Sequence, residues 1–198
     1  PDCMAEPSRE APALMIEPPA KEETKHRKLL SEEEIVRLIA IAPTVRDEAI
    51  LRVLYSSGMR VSELCNLRWY DVIWLNERAI LVIRGKGGKT REAGISGAST
   101  KTLLKLKPAG ADDQDEYIFP GRNGKPLDRT TINWLFSKLS KRIGKKISPH
   151  WMRHSHVSHA LARGANPVDV QEQVGHSSLQ VTTGYAHKTR SSSDYLIV

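Results

Sequence analysis

The apolar residues of this chain change period twice, and that change limits the fold more than any other feature. From Leu30 the pattern is helical: Ser31 can cap a first turn, Glu34 stands at the third helical position, and Ile35, Leu38 and Ile39 form a stripe of period 3.6. Further helices are expected over residues 46–56 and 61–68, divided by Ser57-Gly58. The pattern then becomes strand-like. Residues 71–74, 78–83 and 90–95 are short β-branched, apolar runs, with Gly85-Lys86-Gly87-Gly88 between the last two. Helical spacing returns over 100–107, 129–143, 149–163, 167–174 and 178 to about 185, where Gly164 stops one helix and Asn166-Pro167 starts the next. The expected class is α+β, mainly α with one small antiparallel sheet built on a glycine-rich hairpin.

With 198 residues the chain can bury one sizeable core. Residues 1–28 are expected to be a linker or disordered leader: five of the eleven prolines fall there among Ala, Glu and Lys, too little apolar surface to order itself. Residues 29–198 form the expected domain. Residues 1–30 hold five basic and six acidic side chains, so 25 basic against 17 acidic, a balance of +8, fall in residues 31–198. That excess suits a polyanion, although many basic domains simply have solvated charged faces. Cys3 and Cys65 sit in unlike contexts, which excludes a disulfide framework and favours a reducing compartment. No run approaches the roughly 18 apolar residues of a membrane span, and a soluble, cytoplasmic protein is expected, on the nucleoid when on DNA.

Several segments carry residues with chemistry. In Ser148-Pro149-His150-Trp151-Met152-Arg153-His154 a proline opens a helix, and the three-residue interval sets His150 and Arg153 on one face. A guanidinium fork takes two phosphate oxygens at once, and a neighbouring imidazole exchanges protons near neutral pH. Read alone, such a pair is more often a solvated face or a carboxylate partner. His154, His156 and His159 crowd the same helix, but the Glu of a zinc-protease motif is missing, so no metal is assigned, and His159 is expected to be partly buried against the following helix.

The hairpin Arg84-Gly85-Lys86-Gly87-Gly88-Lys89-Thr90-Arg91 offers four cations to a phosphate chain; it lacks the Walker pattern, and a surface turn is the alternative. In Gly58-Met59-Arg60-Val61-Ser62-Glu63-Leu64, Arg60 and Glu63 are either a surface ion pair worth about 0.2–0.5 kcal/mol or a buried arginine steadied by a carboxylate. Gly175-His176-Ser177, followed by Thr183-Gly184-Tyr185, reads on its own as a loop and a core-anchoring tyrosine. Lys138, Lys141, Arg142, Lys145 and Lys146 lie in a stretch with no acidic residue, a candidate phosphate-contacting face.

Taken in order and spacing, Gly-Met-Arg60-Val-Ser-Glu63-Leu, the Gly-Lys86-Gly hairpin, Ser-Pro-His150-x-x-Arg153-His, Gly-His176-Ser and Tyr185 nine residues later resemble the catalytic domain of the tyrosine recombinases, the phage integrase family that includes the Xer-type enzymes. The similarity runs from about Leu30 to His187 and takes in Tyr117-Ile118-Phe119-Pro120 and Leu161-Ala162-Arg163-Gly164-Ala165-Asn166. The resemblance implies the tyrosine recombinase catalytic-domain fold and a site-specific recombinase that needs neither metal nor ATP nor any other cofactor. Tyr185 would attack the scissile phosphate to give a 3′-phosphotyrosyl bond. Arg60, Arg153 and His176 would hold its non-bridging oxygens, Lys86 would protonate the leaving 5′-oxygen, His150 would share the nucleophile's proton, and Glu63 would orient Arg60.

Arg84, Lys89 and Arg91 on the hairpin, with Lys138, Lys141, Arg142, Lys145 and Lys146, would contact DNA phosphates. The implied partner is double-stranded DNA, with a homotetramer assembled on it, an expectation that leaves room for a monomer in solution and for accessory proteins. Relatives carry an N-terminal core-binding domain, which this chain is expected to lack. A DNA-binding module without activity and a type IB topoisomerase are the competing readings.

Overall fold

The computed structural model of the chain describes residues 28–85, 88–108 and 115–175. The expected leader up to residue 27, the helix at 178–185 and the candidate residues Lys86, His176 and Tyr185 lie outside the described residues.

The first helix, α1 (Glu32–Ala40), opens on a reciprocal cap: the Glu34 amide donates to Ser31 Oγ at 3.2 Å, and the Ser31 amide donates to Glu34 Oε2 at 2.9 Å. α2 (Val45–Ser57) is capped by Thr44 and ends at Gly58, in the left-handed region at φ 61°. α3 (Val61–Cys65) stops three residues before the helix expected from the sequence. The reason is tertiary: the Leu67 carbonyl accepts from the Ile118 amide at 2.9 Å and the Trp69 amide donates to the Glu116 carbonyl at 3.1 Å, so the backbone leaves the helix to pair across the molecule.

Three strands follow, β1 (Val72–Trp74), β2 (Ala79–Arg84) and β3 (Thr90–Ile95), antiparallel in that order, with Val72 opposite Leu81 and Ile83 opposite Arg91. α4 (Gly97–Leu104) begins three residues earlier than expected because Ser96 caps it through the Ser99 amide. α5 (Arg129–Ile143), α6 (Pro149–Ala162) and α7 (Pro167–Val174) fall where the apolar period puts them. This is the expected mainly α arrangement with one small sheet.

α2 is the hub. It packs on α1, α4, α6 and β3, and its Leu51, Val53 and Leu54 lie in the main core with Leu81, Leu103, Phe119 and Phe136. A separate cluster, Val157, Val170 and Val174, joins α6 to α7. Cys65 is buried, and burial pushes its thiol up to about 11, which keeps it protonated and unreactive. The Leu30 amide donates to Ser155 Oγ of α6 at 2.8 Å, tying the residue before the α1 cap to α6. No described helix is long and apolar enough to cross a membrane.

Candidate active site

Two of the expected arginines are brought together by one turn. Gly58 ends α2 and its carbonyl points at α6, where it accepts a 2.6 Å hydrogen bond from Arg153 Nη1. Two residues further on, Arg60 begins α3. Arg153 is 8% exposed, so its guanidinium is held from within the fold. The turn requires glycine: a Cβ on Gly58 would stand 2.7 Å from His156 Cδ2 and 2.8 Å from Val174 Cγ1.

Arg60 and Glu63 form an ion pair of the opposite sense to the buried-arginine alternative. The carboxylate is the buried partner, 5% exposed, whereas the Arg60 side chain is 45% exposed. Glu63 Oε1 accepts from Arg60 Nη1 at 3.0 Å and Oε2 accepts from the Arg60 amide at 2.7 Å. Arg60 Nη2 also donates to the Gly175 carbonyl at 3.2 Å, one peptide bond before His176. A rooted carboxylate thus steadies an arginine whose outer face reaches solvent.

Arg91 is placed differently from the sequence expectation of a DNA contact. It is 14% exposed, and it donates from Nη1 to Glu63 Oε1 at 3.0 Å, from Nη2 to Glu63 Oε2 at 2.7 Å and from Nε to the Gln173 carbonyl at 2.8 Å. Burial alone would push the Glu63 carboxyl up; hydrogen bonds from Arg91 and from the Arg60 amide more than reverse this and hold it below its ordinary 4.5.

Among the other expected DNA contacts, Lys145 is drawn inward to Glu34, with Nζ at 2.6 and 2.8 Å from its carboxylate oxygens, and Arg142 Nη1 donates to the Ile41 carbonyl at 2.8 Å. Arg84 stands 3.1 Å from Asp71 and over the Tyr70 ring, yet is 61% exposed. Lys89, Lys138, Lys141 and Lys146 are exposed. Trp134, which the sequence reading passed over, is 65% exposed on α5 between Thr130 and Lys138. Its signal was its position off the Ile132, Leu135, Phe136 and Leu139 stripe.

His150, at the start of α6, is exposed, with its ring 6.4 Å from that of His154. His159 is partly buried as expected, but its Nδ1 is 2.8 Å from Tyr55 Oη of α2, the preceding side of the fold. Burial pushes His156 down to about 4, leaving a neutral imidazole under the Gly58 turn. Among the described residues no group of three His, Cys, Asp or Glu side chains is placed to hold a metal. A cleft of about 480 Å³ lies at Leu75, Arg78, Glu92 and Ser96, and none of the described candidate catalytic residues, Arg60, His150 and Arg153, lines it. Of the arginines gathered around the Gly58 turn and Glu63, Arg60 is the one whose side chain reaches solvent, while Arg153 and Arg91 are held inside.

A sequence model of the phage integrase family matches residues 28–192, most of the chain. The chain belongs to the phage integrase family. Tyrosine recombinase XerA of Pyrococcus horikoshii is 40% identical to it over 171 residues, covering 82% of this chain and 57% of that protein. Tyrosine recombinase XerC of Xanthomonas axonopodis pv. citri is 34% identical over 183 residues, covering 89% of this chain and 59% of that protein. This integrase-family chain therefore spans less than two thirds of the length of these curated relatives. A crystal structure of XerA recombinase matches with a TM-score of 0.70 at 35% identity, over 80% of this chain and 60% of that one. XerH site-specific recombinase bound to its difH substrate, at 22% identity, shares the fold with a TM-score of 0.68. The tyrosine recombinase catalytic-domain fold expected from the motifs is thus the fold of this integrase-family chain.

Proposed function

We propose that this chain cleaves and rejoins DNA strands at specific sites through a covalent link to Tyr185. The phenol oxygen forms a bond to the scissile phosphorus, the bond to the 5′-oxygen breaks, the phenol proton passes to His150 or solvent, and Lys86 protonates the departing 5′-oxygen. A second 5′-hydroxyl then reverses the step, and because one phosphodiester-type bond replaces another, neither nucleotide nor metal is needed. Arg60, Arg153 and His176 hold the non-bridging oxygens, where charge gathers in the transition state.

The observation that carries this reading is the Gly58 turn: it holds Arg153 through its carbonyl and, two residues on, presents Arg60, whose guanidinium also touches the residue before His176. Double-stranded DNA is the partner the basic faces fit. Assembly on DNA as a homotetramer and help from accessory proteins belong to the same proposal.

The test is incubation with a nicked suicide duplex. The chain forms a covalent adduct; Tyr185→Phe abolishes it and Arg60→Ala reduces it about a thousandfold or more, on the scale of losing one transition-state charge contact. Binding without an adduct in the parent chain would reduce the protein to a DNA-binding module, and relaxation of supercoiled DNA at any sequence would make it a topoisomerase.

A further inference from the structure

All three side-chain donor nitrogens of Arg91 are used inside the fold: Nη1 and Nη2 on Glu63 and Nε on the Gln173 carbonyl. Its two terminal nitrogens bind both oxygens of Glu63, the planar fork geometry that a lysine cannot reproduce. Its third donor, Nε, takes the Gln173 carbonyl near the C-terminal end of α7. Gly175 lies flat on the same guanidinium: a Cβ there would stand 3.2 Å from Arg91 Nε and Cδ. Arg91 belongs to β3, the strand that leaves the hairpin bearing Lys86.

Three pieces of the proposed site therefore meet on one side chain. Glu63 carries Arg60; Gln173 and Gly175 end the helix before His176; β3 carries the Lys86 hairpin. We propose that Arg91 is a positioning residue, holding Glu63 so that Arg60 faces the phosphate and tying the hairpin strand to the end of α7. The proposal rests on the strand-cleavage reading above. Arg91 does not touch the reacting atoms: Glu63 lies between it and Arg60, and both Glu63 oxygens are shared between the two arginines.

The experiment compares the parent chain with Arg91→Gln and Arg91→Lys, measuring DNA affinity by anisotropy and single-turnover adduct formation at saturating suicide duplex. Arg91→Gln lowers the saturating rate about a hundredfold, the scale of an angstrom-sized misplacement, and leaves affinity within about threefold because no phosphate contact is lost. Arg91→Lys restores the charge without the fork and recovers part of the rate. The acid limb of the rate moves to higher pH in Arg91→Gln, because Glu63 loses the guanidinium that lowers its carboxyl; a merely structural role leaves that limb in place.

An unchanged saturating rate, with weaker binding and a salt slope reduced by about one, would make Arg91 a phosphate contact and overturn the proposal. Should Arg91→Gln fail to fold, Arg91→Lys gives the same decision. Carboxyl carbon NMR of Glu63 reads the coupling without DNA: an upward shift of its titration in the Arg91 variants supports the proposal and no shift sinks it. An absent adduct in the parent chain, by contrast, fails the strand-cleavage reading alone.

Discussion

Gly58 has no tolerance for a side chain, and the consequence reaches both arginines. Alanine there would keep φ near 61° at a cost and push its Cβ into His156 and Val174. Gly58→Ala is expected to lose about 3 kcal/mol in urea denaturation, and to slow adduct formation further because the acceptor of Arg153 moves. His156 sets an acid limit at the same place. Its folded-state value is depressed from 6.5 to about 4 by burial first, with Arg153 and His159 nearby. The unfolded chain therefore takes up a proton that the folded chain refuses. Stability is intact above pH 6.5 and falls as pH drops toward 4, by on the order of 3 kcal/mol. Replacing His156 with Phe flattens much of that slope in pH-dependent urea midpoints; His159, also depressed by burial, keeps the remainder. An unchanged slope would show that the imidazole is solvated.

At the scale of elements, the reciprocal cap of α1 is a direct product of the Ser31-x-x-Glu34 spacing, and Ser31→Ala should cost about 1 kcal/mol by thermal or urea denaturation. α7 is held by the small Val157, Val170 and Val174 cluster, apart from the main core, so its amides at 170–175 should exchange hydrogen before those of α2. Uniform protection across α2 and α7 would contradict this. α1, β3, α5 and α7 were legible because each joins a clear period to a cap or turn residue. The end of α3 was not: nothing local to Asn66-Leu67-Arg68 announces pairing with residues 116–118, which is a tertiary event. The role of Arg91 was missed through attention to charge. Alternation along β3 puts Arg91 on the face of Ala93 and Ile95, both buried, so period two already pointed it inward. Arg60 and Arg153 were singled out through the family resemblance, but that Arg153 is buried and Arg60 exposed depends on contacts that no local pattern contains.

Across the whole molecule, the basic stretch near α5 divides into cations that the described fold leaves facing solvent and cations that it ties to its own groups. Lys138, Lys141 and Lys146 are exposed, whereas Lys145 is bound to Glu34 and Arg142 to the Ile41 carbonyl. Lys138→Ala should reduce the slope of log affinity against log salt by about one; Lys145→Ala should change it less and instead loosen α1. Equal effects on the salt slope would erase the distinction. The bond from the Leu30 amide to Ser155 joins the residue before the α1 cap to the interior of α6, two residues from Arg153. Ser155→Ala therefore cuts the tie between the residue before α1 and the middle of α6, and a shift in the position of α1 is read at the far end of the sequence.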